Sequence, residues 1–491
     1  MIRCSALLVC CFSVVYFYSQ EGNKLDYAQK YAQTITNEEL KTHLSVLASD
    51  EYEGRETGKA GQKKSAEYLI NSFKKSGCSF APGMTQFEQQ FNVIENVPGG
   101  TLNFLGKDLA FKTDFIYTNA KAKNTLSNLP VYTANAAQLN QTENLVIIEK
   151  LVSTDVRGAF LKIKEKGLVT TNVKAIVLVA ESFSDVYLYY EHFFTSRSMR
   201  LASDKTEKEL PIIIVNAASI KEQLPKKLRY LFGKGKQKSF KKELGKLSAE
   251  INKDEQLLQS SNVLAFIPGS DPILSKEVVV ITAHYDHIGI DNGVVYNGAD
   301  DDGTGTVALL ELAQAFMTAY KEGHGPRRSI LIMPVSGEEK GLLGSRYYTE
   351  NPIIPLANII SDLNIDMIGR DDIPHENSKE EYIYIIGSNM ISDDLHNANE
   401  LANNSYTNLK LDYTFNSKND PNQFYYRSDH YNFAKNGIPS VFYFSGVHED
   451  YHQPTDDIEK IDFEKVETVA KLVFHTAWIL ANKTERPAPN E

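Results

Sequence analysis

Beyond Asn262 the apolar residues fall into short, nearly unbroken runs rich in Ile and Val. Runs without polar alternation are typical of strands buried on both faces, as in a sheet covered by helices. The clearest helical segment among them is "TGTVALLELAQAFMTAYKEG". This part of the chain is therefore predicted to be an α/β domain, with strand candidates "EVVVITAHYD", "SILIMPVSG", "DLNIDMIG", "EYIYIIGS" and "PSVFYFSG".

Two other patterns precede this domain. From Leu25 to Gly77, apolar residues at spacings of three and four predict two helices, "NEELKTHLSVLASDEYEG" and "AGQKKSAEYLINSFKKSG", with "ETGKAG" as the break. Between Lys121 and Leu257, the short β-rich runs "NLPVYTA", "NLVIIEK", "KAIVLVAES" and "LPIIIVNAAS" predict a separate module, with helix-like "VRGAFLKIKEKG" and "SIKEQLPKKL" between them. The Lys-rich stretch 225–246 is interpreted as a solvated face rather than an anion site.

Length and charge narrow the class of protein. A chain of 491 residues is too long for a single hydrophobic core, so two or three domains are expected. Apolar content of 42% and charged content of 23% are ordinary for a globular protein. The formal net charge of -11 argues against nucleic acid as a partner, because binding to its phosphates requires clustered Lys and Arg.

The N-terminus has the layout of a secretory signal peptide. Arg3 precedes an apolar run, and polar residues follow it. We assign residues 1–20 as this leader and expect export to the periplasm or the extracellular space, with no stable membrane insertion after its removal. Its apolar run is too short to span a bilayer comfortably. The leader holds Cys4, Cys10 and Cys11, so the mature chain keeps only Cys78 and can form no internal disulfide.

Possible metal ligands recur at the carboxyl ends of the predicted strands, where ligands gather in open α/β sheets. They occur in "AHYDH", in "SGEE", in "NIDM" and, near the C-terminus, in "EDYHQP", while the loop "NGADDDGTG" adds three aspartates. Each feature alone has an ordinary interpretation as a solvated turn, a helix start or a surface histidine. Their recurrence at successive strand ends favours a metal site, and His and carboxylate ligands without Cys suit a catalytic Zn²⁺.

The aspartate loop has a competing interpretation as a calcium site. Asp300, Asp302, Thr304, Gly305 and Glu311 occupy positions 1, 3, 5, 6 and 12 of an EF-hand-like loop. An EF-hand needs a helix leading into the loop, whereas the preceding "IGIDNGVVYNGA" is not helical in pattern. We therefore assign Glu311 to the helix that follows.

In this order, "AHYDHIG", "NGADDDGTG", "SGEEKGLLGS", "NIDMIG" and "YHQPTD" resemble the motifs of the two-zinc exopeptidases of the M28 aminopeptidase family. The segment "SDEYEGRETGKAG" resembles the start of the same catalytic domain, and the β-rich module resembles an inserted protease-associated (PA) domain. The resemblance implies a mixed, mostly parallel sheet flanked by helices, of the phosphorylase/hydrolase-like type. It also implies peptidase segments at 24–120 and 258–485 around a PA domain at 121–257.

The resemblance further implies two Zn²⁺ ions per chain. Asp301 would bridge them; His284 and Asp366 would complete one site, and Glu339 and His452 the other. Two such ions can share one hydroxide, lower its pKa and polarise the scissile carbonyl.

Four further residues receive roles around these metals. Glu338 is expected to be the general base that passes a proton to the leaving amine. Asp286 lies two residues after His284 on an extended strand, so it is expected to accept the second imidazole N–H. Tyr451 matches a position that hydrogen-bonds the substrate carbonyl in some family members. Asp429, in "RSDHYNF", is a weaker candidate for substrate binding.

The function implied is an aminopeptidase that acts on peptides, since an acid-rich site can receive a free amine. Carboxypeptidases and dipeptidases share the scaffold but need a cationic pocket, for which Arg427 or Arg370 could serve. A receptor-like ectodomain without catalysis is the third alternative, although such relatives lose metal ligands. The preferred residue and the oligomeric state are not predicted.

Overall fold

The computed structural model describes residues 27–118, 123–137, 144–195, 197–205, 210–232, 242–252, 254–376, 378 and 380–490. The predicted leader, with three of the cysteines, lies outside the described residues. The chain divides into two compact units, one of Met1–Asn92 with Gln259–Glu491 and one of Val93–Leu258. No helix among the described residues is both long enough and apolar enough to cross a membrane.

The β-strands run in chain order as β1 Glu88–Val97, β2 Gly100–Phe104, β3 Lys107–Leu109, β4 Phe115–Thr118, β5 Asn124–Thr133, β6 Leu145–Leu151, β7 Val173–Ala180, β8 Ser198–Leu201, β9 Ile212–Asn216, β10 Lys246–Ile251, β11 Asp254–Val263, β12 Ala265–Ile267, β13 Val278–His284, β14 Gly289–Asp291, β15 Val294–Tyr296, β16 Ser329–Val335, β17 Ile359–Ile365, β18 Tyr382–Ile386, β19 Lys410–Asp412 and β20 Ser440–Phe444.

The α-helices run as α1 Asn37–Leu47, α2 Ala60–Ser76, α3 Ala134–Ala137, α4 Val156–Glu165, α5 Phe183–Thr195, α6 Ala217–Ile220, α7 Gly305–Lys321, α8 Leu343–Glu350, α9 Asp393–Ala402, α10 His430–Ala434 and α11 Phe463–Asn482. The two helices predicted before Gly77 correspond to α1 and α2. Thr36 begins α1 by accepting a hydrogen bond from the Glu39 N–H, and Gly77 ends α2 in the left-handed conformation.

The first unit contains a seven-stranded sheet in the order β12-β16-β13-β17-β20-β18-β19. The four inner strands β16, β13, β17 and β20 are mutually parallel, whereas β12 and β18 run antiparallel to their neighbours β16 and β20. The sheet is therefore mixed and mostly parallel, which confirms the predicted fold class. The five strand candidates of the sequence correspond to β13, β16, β17, β18 and β20.

Both faces of this sheet are buried, as the unbroken Ile and Val runs predicted. In β13, Val279 and Ile281 face a core built with α1, α2, α7 and α11, and alternate residues such as Val280 face a second apolar cluster that includes Tyr348 and Phe433. Side chains of a strand alternate between the two faces, so a central strand of this kind must be apolar throughout. The strand ends, outside these cores, are left for polar residues.

The second unit contains an eight-stranded sheet in the order β3-β2-β10-β5-β6-β7-β9-β4, with β5, β6, β7 and β9 parallel. The β-rich runs of the sequence form β5, β6, β7 and β9. The predicted boundary at residue 121 falls later than the observed division at Val93, because β2 pairs with β10 and β4 pairs with β9 inside this unit. Of the two predicted helices, α4 forms as expected, whereas "SIKEQLPKKL" forms only the end of the short α6, followed by turns and a 3₁₀ segment.

Candidate metal centre

The parallel strands β16, β13 and β17 are neighbours, so their carboxyl ends meet at one edge of the sheet. His284 is the last residue of β13, Asp366 follows β17, and Glu338 and Glu339 follow β16 after Ser336 and Gly337. The strand ends thus bring together the ligand candidates that are far apart in sequence. Asp301, from the loop before α7, and His452, from the C-terminal segment, complete the cluster.

His284, Asp301 and Asp366 form the first group of possible metal ligands. The His284 Nε2 atom lies 3.2 Å from Asp301 Oδ1 and 3.5 Å from Asp366 Oδ1. All three residues are buried, and the second oxygen of Asp366 accepts a hydrogen bond from Ser428 Oγ at 2.7 Å. This hydrogen bond leaves Asp366 Oδ1 directed at the other two ligand atoms.

The second group is built around the other oxygen of Asp301. The His452 Nε2 atom lies 3.2 Å from Asp301 Oδ2 and 3.2 Å from Glu339 Oε2. Asp301 therefore offers one oxygen to each group, which is the position that a bridging carboxylate would occupy. The bridging role itself stays a prediction.

The spacing of these atoms fits metal ions of the size of zinc. Ligand atoms about 2.0–2.2 Å from a tetrahedral Zn²⁺ are separated from each other by roughly 3.3–3.6 Å. Of the measured separations, 3.5 Å lies within that range and the other three, each 3.2 Å, lie 0.1 Å below it. Buried carboxylates also need cationic partners, because removing several like charges from water is costly. The donor set of imidazoles and carboxylates supplies the ligands that zinc prefers.

The two adjacent glutamates point to different places. Glu339 faces the second group, whereas Glu338 lines a small pocket together with Asp301 and Asp366. Burial raises the pKa of the Glu338 carboxyl well above its usual range; the nearby Glu339 and Asp366 add to the rise and His284 opposes it. For Asp301, burial acts upward, but the imidazoles of His284 and His452 outweigh it and hold the pKa well below its usual range.

The structure corrects the expected contact of Asp286. The Nδ1 atom of His284 lies 3.0 Å from the backbone carbonyl oxygen of Asp286, whereas the Asp286 carboxylate is 3.9 Å away. β13 ends at His284, and beyond this residue the backbone carbonyl takes the place expected for the side chain. The Asp286 carboxylate instead accepts hydrogen bonds from Thr57 Oγ1 at 2.6 Å and from the Glu338 N–H at 3.3 Å. It therefore holds the backbone of Glu338.

The three consecutive aspartates have different partners. Asp300 accepts a hydrogen bond from the Gly369 N–H at 2.7 Å. Asp302 accepts hydrogen bonds from the backbone N–H of His284 and of Gly305, the first residue of α7. The calcium-loop interpretation is therefore wrong, since these carboxylates bind protein N–H groups and strand β15 rather than a helix precedes the loop. Asp300 and Asp302 fix the loop that presents Asp301.

The C-terminal segment holds the same loop from the other side. Asp456 accepts hydrogen bonds from the backbone N–H groups of Asp300 and Asp301, each at 3.1 Å. His448 Nε2 lies 3.2 Å from Asp300 Oδ2. Residues 448–456 thus include the predicted ligand His452 and also hold the aspartate loop in place.

Arg55 is a positioning residue that the sequence did not reveal. It is completely buried and donates hydrogen bonds to four backbone carbonyl oxygens, those of Leu47, Tyr285, Asn297 and Gly298, at 2.6–3.0 Å. It lies in "SDEYEGRETGKAG", the segment whose resemblance to the start of the family's catalytic domain was its only signal. Arg55 ties that segment to the loops that follow β13 and precede Asp301.

The pocket beside Glu338 is lined by both acidic and apolar side chains. It measures about 30 Å³ and is lined by Asp301, Glu338, Asp366, Met367, Phe424, Arg427, Phe442, Phe444, Val447 and Tyr451. The Tyr451 ring stacks on His452 with centroids 3.9 Å apart, and its hydroxyl accepts a hydrogen bond from Arg427 at 3.3 Å. Burial raises the pKa of the Tyr451 hydroxyl, so it stays protonated and able to donate a hydrogen bond.

Two predicted candidates lie away from this pocket. Asp429 is completely buried, accepts a hydrogen bond from Ser345 Oγ and is absent from the pocket lining, so it is not placed to touch a substrate there. Burial raises the pKa of Asp429 to about 7. Arg370 binds Asp450 through two nitrogens at 3.1 Å, so its charge is already paired.

Comparison with known sequences identifies the domain. The family model of peptidase family M28 matches residues 262–477. A probable leucine aminopeptidase from Arthroderma otae is 31% identical over 246 residues, which cover 48% of this chain and 63% of the relative. Aminopeptidase YwaD from Bacillus subtilis is 26% identical over 238 residues, or 47% of each chain. The matched part therefore spans about half to under two thirds of these relatives.

Solved structures share the fold over most of the chain. An aminopeptidase from Aneurinibacillus sp. strain AM-1 matches with a TM-score of 0.54 and 16% identity, covering 94% of this chain and 100% of the other. BSAP, a zinc aminopeptidase from Bacillus subtilis, matches with a TM-score of 0.52 and 18% identity, covering 93% and 98%. Residues 262–477, which match the model of peptidase family M28, hold all five predicted metal ligands.

Proposed function

We propose that the protein is a zinc-dependent aminopeptidase that removes N-terminal residues from peptides. The observation that carries the proposal is the position of Asp301, with one oxygen 3.2 Å from His284 and the other 3.2 Å from His452, beside the Glu338 carboxyl and a pocket whose lining includes four apolar side chains, Met367, Phe424, Phe442 and Phe444. Relatives named as leucine aminopeptidase and as zinc metalloprotease support the same activity.

His284, Asp301 and Asp366 would hold one zinc ion, and Asp301, Glu339 and His452 a second. Two ions bound there would make a water molecule more acidic and polarise the peptide carbonyl. Glu338 would take a proton from that water and deliver it to the leaving amine. Its carboxyl lines the pocket together with Asp301 and Asp366, so it is placed beside the water that the ions would hold.

Tyr451 and the pocket would orient the substrate. The protonated Tyr451 hydroxyl would donate a hydrogen bond to the carbonyl oxygen as negative charge develops on it. The pocket residues Met367, Phe424, Phe442 and Phe444 would receive an apolar side chain, whose burial favours binding. The buried acidic groups around Asp301 would receive the free α-amine.

A dipeptidase or carboxypeptidase is the second candidate, and Arg427 is the observation that favours it. Arg427 lines the pocket, and its guanidinium lies 5.0 Å from the Phe424 ring centroid, whereas the charge of Arg370 is paired with Asp450. An arginine at the pocket could bind a substrate carboxylate. A receptor-like protein without catalysis is disfavoured, because all five predicted ligands and Glu338 are present.

Cleavage of matched substrates tests the proposal. We expect leucyl and phenylalanyl amides with a free amine to be cleaved, their N-acetylated forms to resist, and activity to disappear with a chelator and return with Zn²⁺. Equal cleavage of free and acetylated substrates would contradict the aminopeptidase proposal, and activity that survives metal removal would contradict the zinc site.

The second candidate needs its own comparison. Dipeptides and dipeptide amides differ only in the terminal carboxylate, so an aminopeptidase should cleave both. The Arg427→Gln substitution should then change their kcat/KM by the same factor. A loss confined to substrates with a free carboxylate would favour the dipeptidase instead.

The assignment of the second unit as a PA domain and the export of the protein are also proposals. Export rests on residues 1–20, whose pattern is that of a leader. Cell fractionation and N-terminal sequencing of the mature protein test it, and a retained Met1 in the cytoplasm would contradict it.

A further inference from the structure

The motif "AHYDHIG" contains a second histidine, His287, to which neither the sequence pattern nor the family resemblance gives a role. His287 is completely buried, and its Nδ1 atom lies 2.9 Å from Glu339 Oε1 and 3.8 Å from Asp301 Oδ2. His287 also joins Asp301 and Glu339 of the second group in a set of side chains that could hold a metal ion, with ligand atoms within 4.8 Å of one another. The position is therefore adjacent to the expected second zinc.

The polar atoms at this point lack hydrogen-bond partners. Within the described residues, both ring nitrogens of His287, the Oδ2 atom of Asp301 and the Oε1 atom of Glu339 are buried without a hydrogen bond. Although His287 Nδ1 is only 2.9 Å from Glu339 Oε1, the contact does not have hydrogen-bond geometry. Each buried polar group left without a partner costs about 1–3 kcal/mol. A cation placed among the three side chains would give partners to His287 Nδ1, Asp301 Oδ2 and Glu339 Oε1.

The ring is also given space by the backbone. Gly298 has φ of +57°, and a Cβ atom at this position would come within 2.4 Å of the His287 ring. The carbonyl oxygen of Gly298 accepts one of the hydrogen bonds from Arg55. The buried arginine thus fixes the glycine that makes room for His287, so the ring occupies a prepared position rather than a gap in packing.

We propose that His287 is a direct ligand of the second zinc ion, through Nδ1, together with Asp301, Glu339 and His452. This inference rests on the metal centre of the proposed function. The separations of His287 from Glu339 and Asp301, 2.9 and 3.8 Å, lie on either side of the roughly 3.3–3.6 Å expected between tetrahedral ligands, and those of His452 are both 3.2 Å. The second ion therefore has two imidazole ligands, and the first has only that of His284.

With His287 as a ligand, the second zinc ion depends less on His452 than it would with a single imidazole. The side chain of His452 is 38% exposed, whereas that of His287 is inaccessible to solvent. A deeply buried second imidazole keeps the ion bound when His452 moves or is substituted. We expect the second ion to be retained in the His452→Ala protein and to be lost only when His287 is replaced as well.

Direct bonds from histidine to metal can be counted in the full-length protein. Protein labelled with ¹⁵N-histidine and loaded with ¹¹³Cd²⁺ shows a scalar coupling between ¹⁵N and ¹¹³Cd only where a ring nitrogen binds the ion. We expect three coupled imidazoles, two of them on one ion. In the His287→Ala protein one coupling should disappear and that ion should bind more than about 100-fold more weakly, a larger loss than is typical of an outer-shell partner, while the ion at His284 remains.

The same spectra separate the possible failures. Two bound ions coupled only to His284 and His452 would overturn the role of His287 while leaving the metal centre intact. No coupling at His284 or His452 would overturn the metal centre itself. Because the wild-type spectrum decides between these results, the inference can be tested even if His287→Ala does not fold. The His396→Ala substitution, in α9 and away from the cluster, is the matched control and should leave every coupling unchanged.

Discussion

The adjacent residues Glu338 and Glu339 should respond in opposite ways to the same substitution. Glutamine has nearly the shape of glutamate but cannot accept a proton. Glu338 lines the pocket and its backbone N–H is held by Asp286, so Glu338→Gln should leave the surroundings in place. Losing a general base lowers kcat by about 10²–10⁴-fold, which corresponds to a rise of roughly 3–5 kcal/mol in the activation barrier. Zinc content should stay at two ions per chain.

Glu339→Gln should instead remove metal. Oε2 of Glu339 lies 3.2 Å from His452 and Oε1 lies 2.9 Å from His287, so both oxygens face the second site. A neutral amide at this position lowers the affinity of the second site for Zn²⁺, because the ion is bound mainly by anionic ligands. We expect about one zinc per chain after dialysis, and activity that is partly restored by added Zn²⁺.

The assay combines turnover of leucyl amide, zinc content by mass spectrometry and circular dichroism for each protein. Added Zn²⁺ should not rescue Glu338→Gln, since that protein already holds its metal. If Glu338→Gln loses zinc, or if it keeps normal turnover, the division of roles between the two glutamates is refuted. Equal metal loss in both proteins would mean that both carboxylates are ligands.

Three further predictions concern buried residues that are neither predicted metal ligands nor predicted catalytic residues. Arg55→Lys should lower the free energy of unfolding by about 1–3 kcal/mol for each buried carbonyl it leaves unpaired, measured by urea unfolding with the exposed Arg157→Lys as control; equal stability of the two variants would contradict the role given to Arg55. Glu311 is buried, and burial together with the nearby Glu39 raises its pKa to about 8. The folded protein therefore favours the protonated carboxyl, so the free energy of unfolding is highest below pH 4.5 and falls as the pH rises to 8. Glu311→Gln should therefore gain stability over wild type across this range, by roughly 3 kcal/mol at pH 7, and a constant difference would contradict the raised pKa. Burial raises the pKa of Cys78 to about 12, so this thiol should react with maleimide only after denaturation.

The sequence predicted the sheet and much of the site for a physical reason. Ile and Val runs identify strands buried on both faces, and polar residues directly after such runs must lie at the sheet edge, as His284 and Asp366 do. Parallel neighbours then bring these ends together. Which residues form each metal group came from the family resemblance rather than from periodicity.

Residues whose partners are distant in sequence were missed. Arg55 binds carbonyls more than 200 residues away, and Asp456 binds N–H groups about 155 residues away, so no local pattern indicates either role. The Asp286 prediction was wrong in its detail, because the backbone path beyond the end of β13 decides whether a carbonyl or a carboxylate meets His284. The boundary near Val93 depends on the pairing of β2 with β10, which their short sequences do not specify.

The contribution of residues 448–456 has a consequence for the order in which the protein is made. The first ligand group is complete once Asp366 has been synthesised, whereas His452 and Asp456 leave the ribosome more than 80 residues later. A nascent chain can therefore fold β13, β16 and β17 without completing the second group or fastening the aspartate loop. Under the proposed function, peptide hydrolysis would begin only after residues 448–456 have been synthesised and have closed the site.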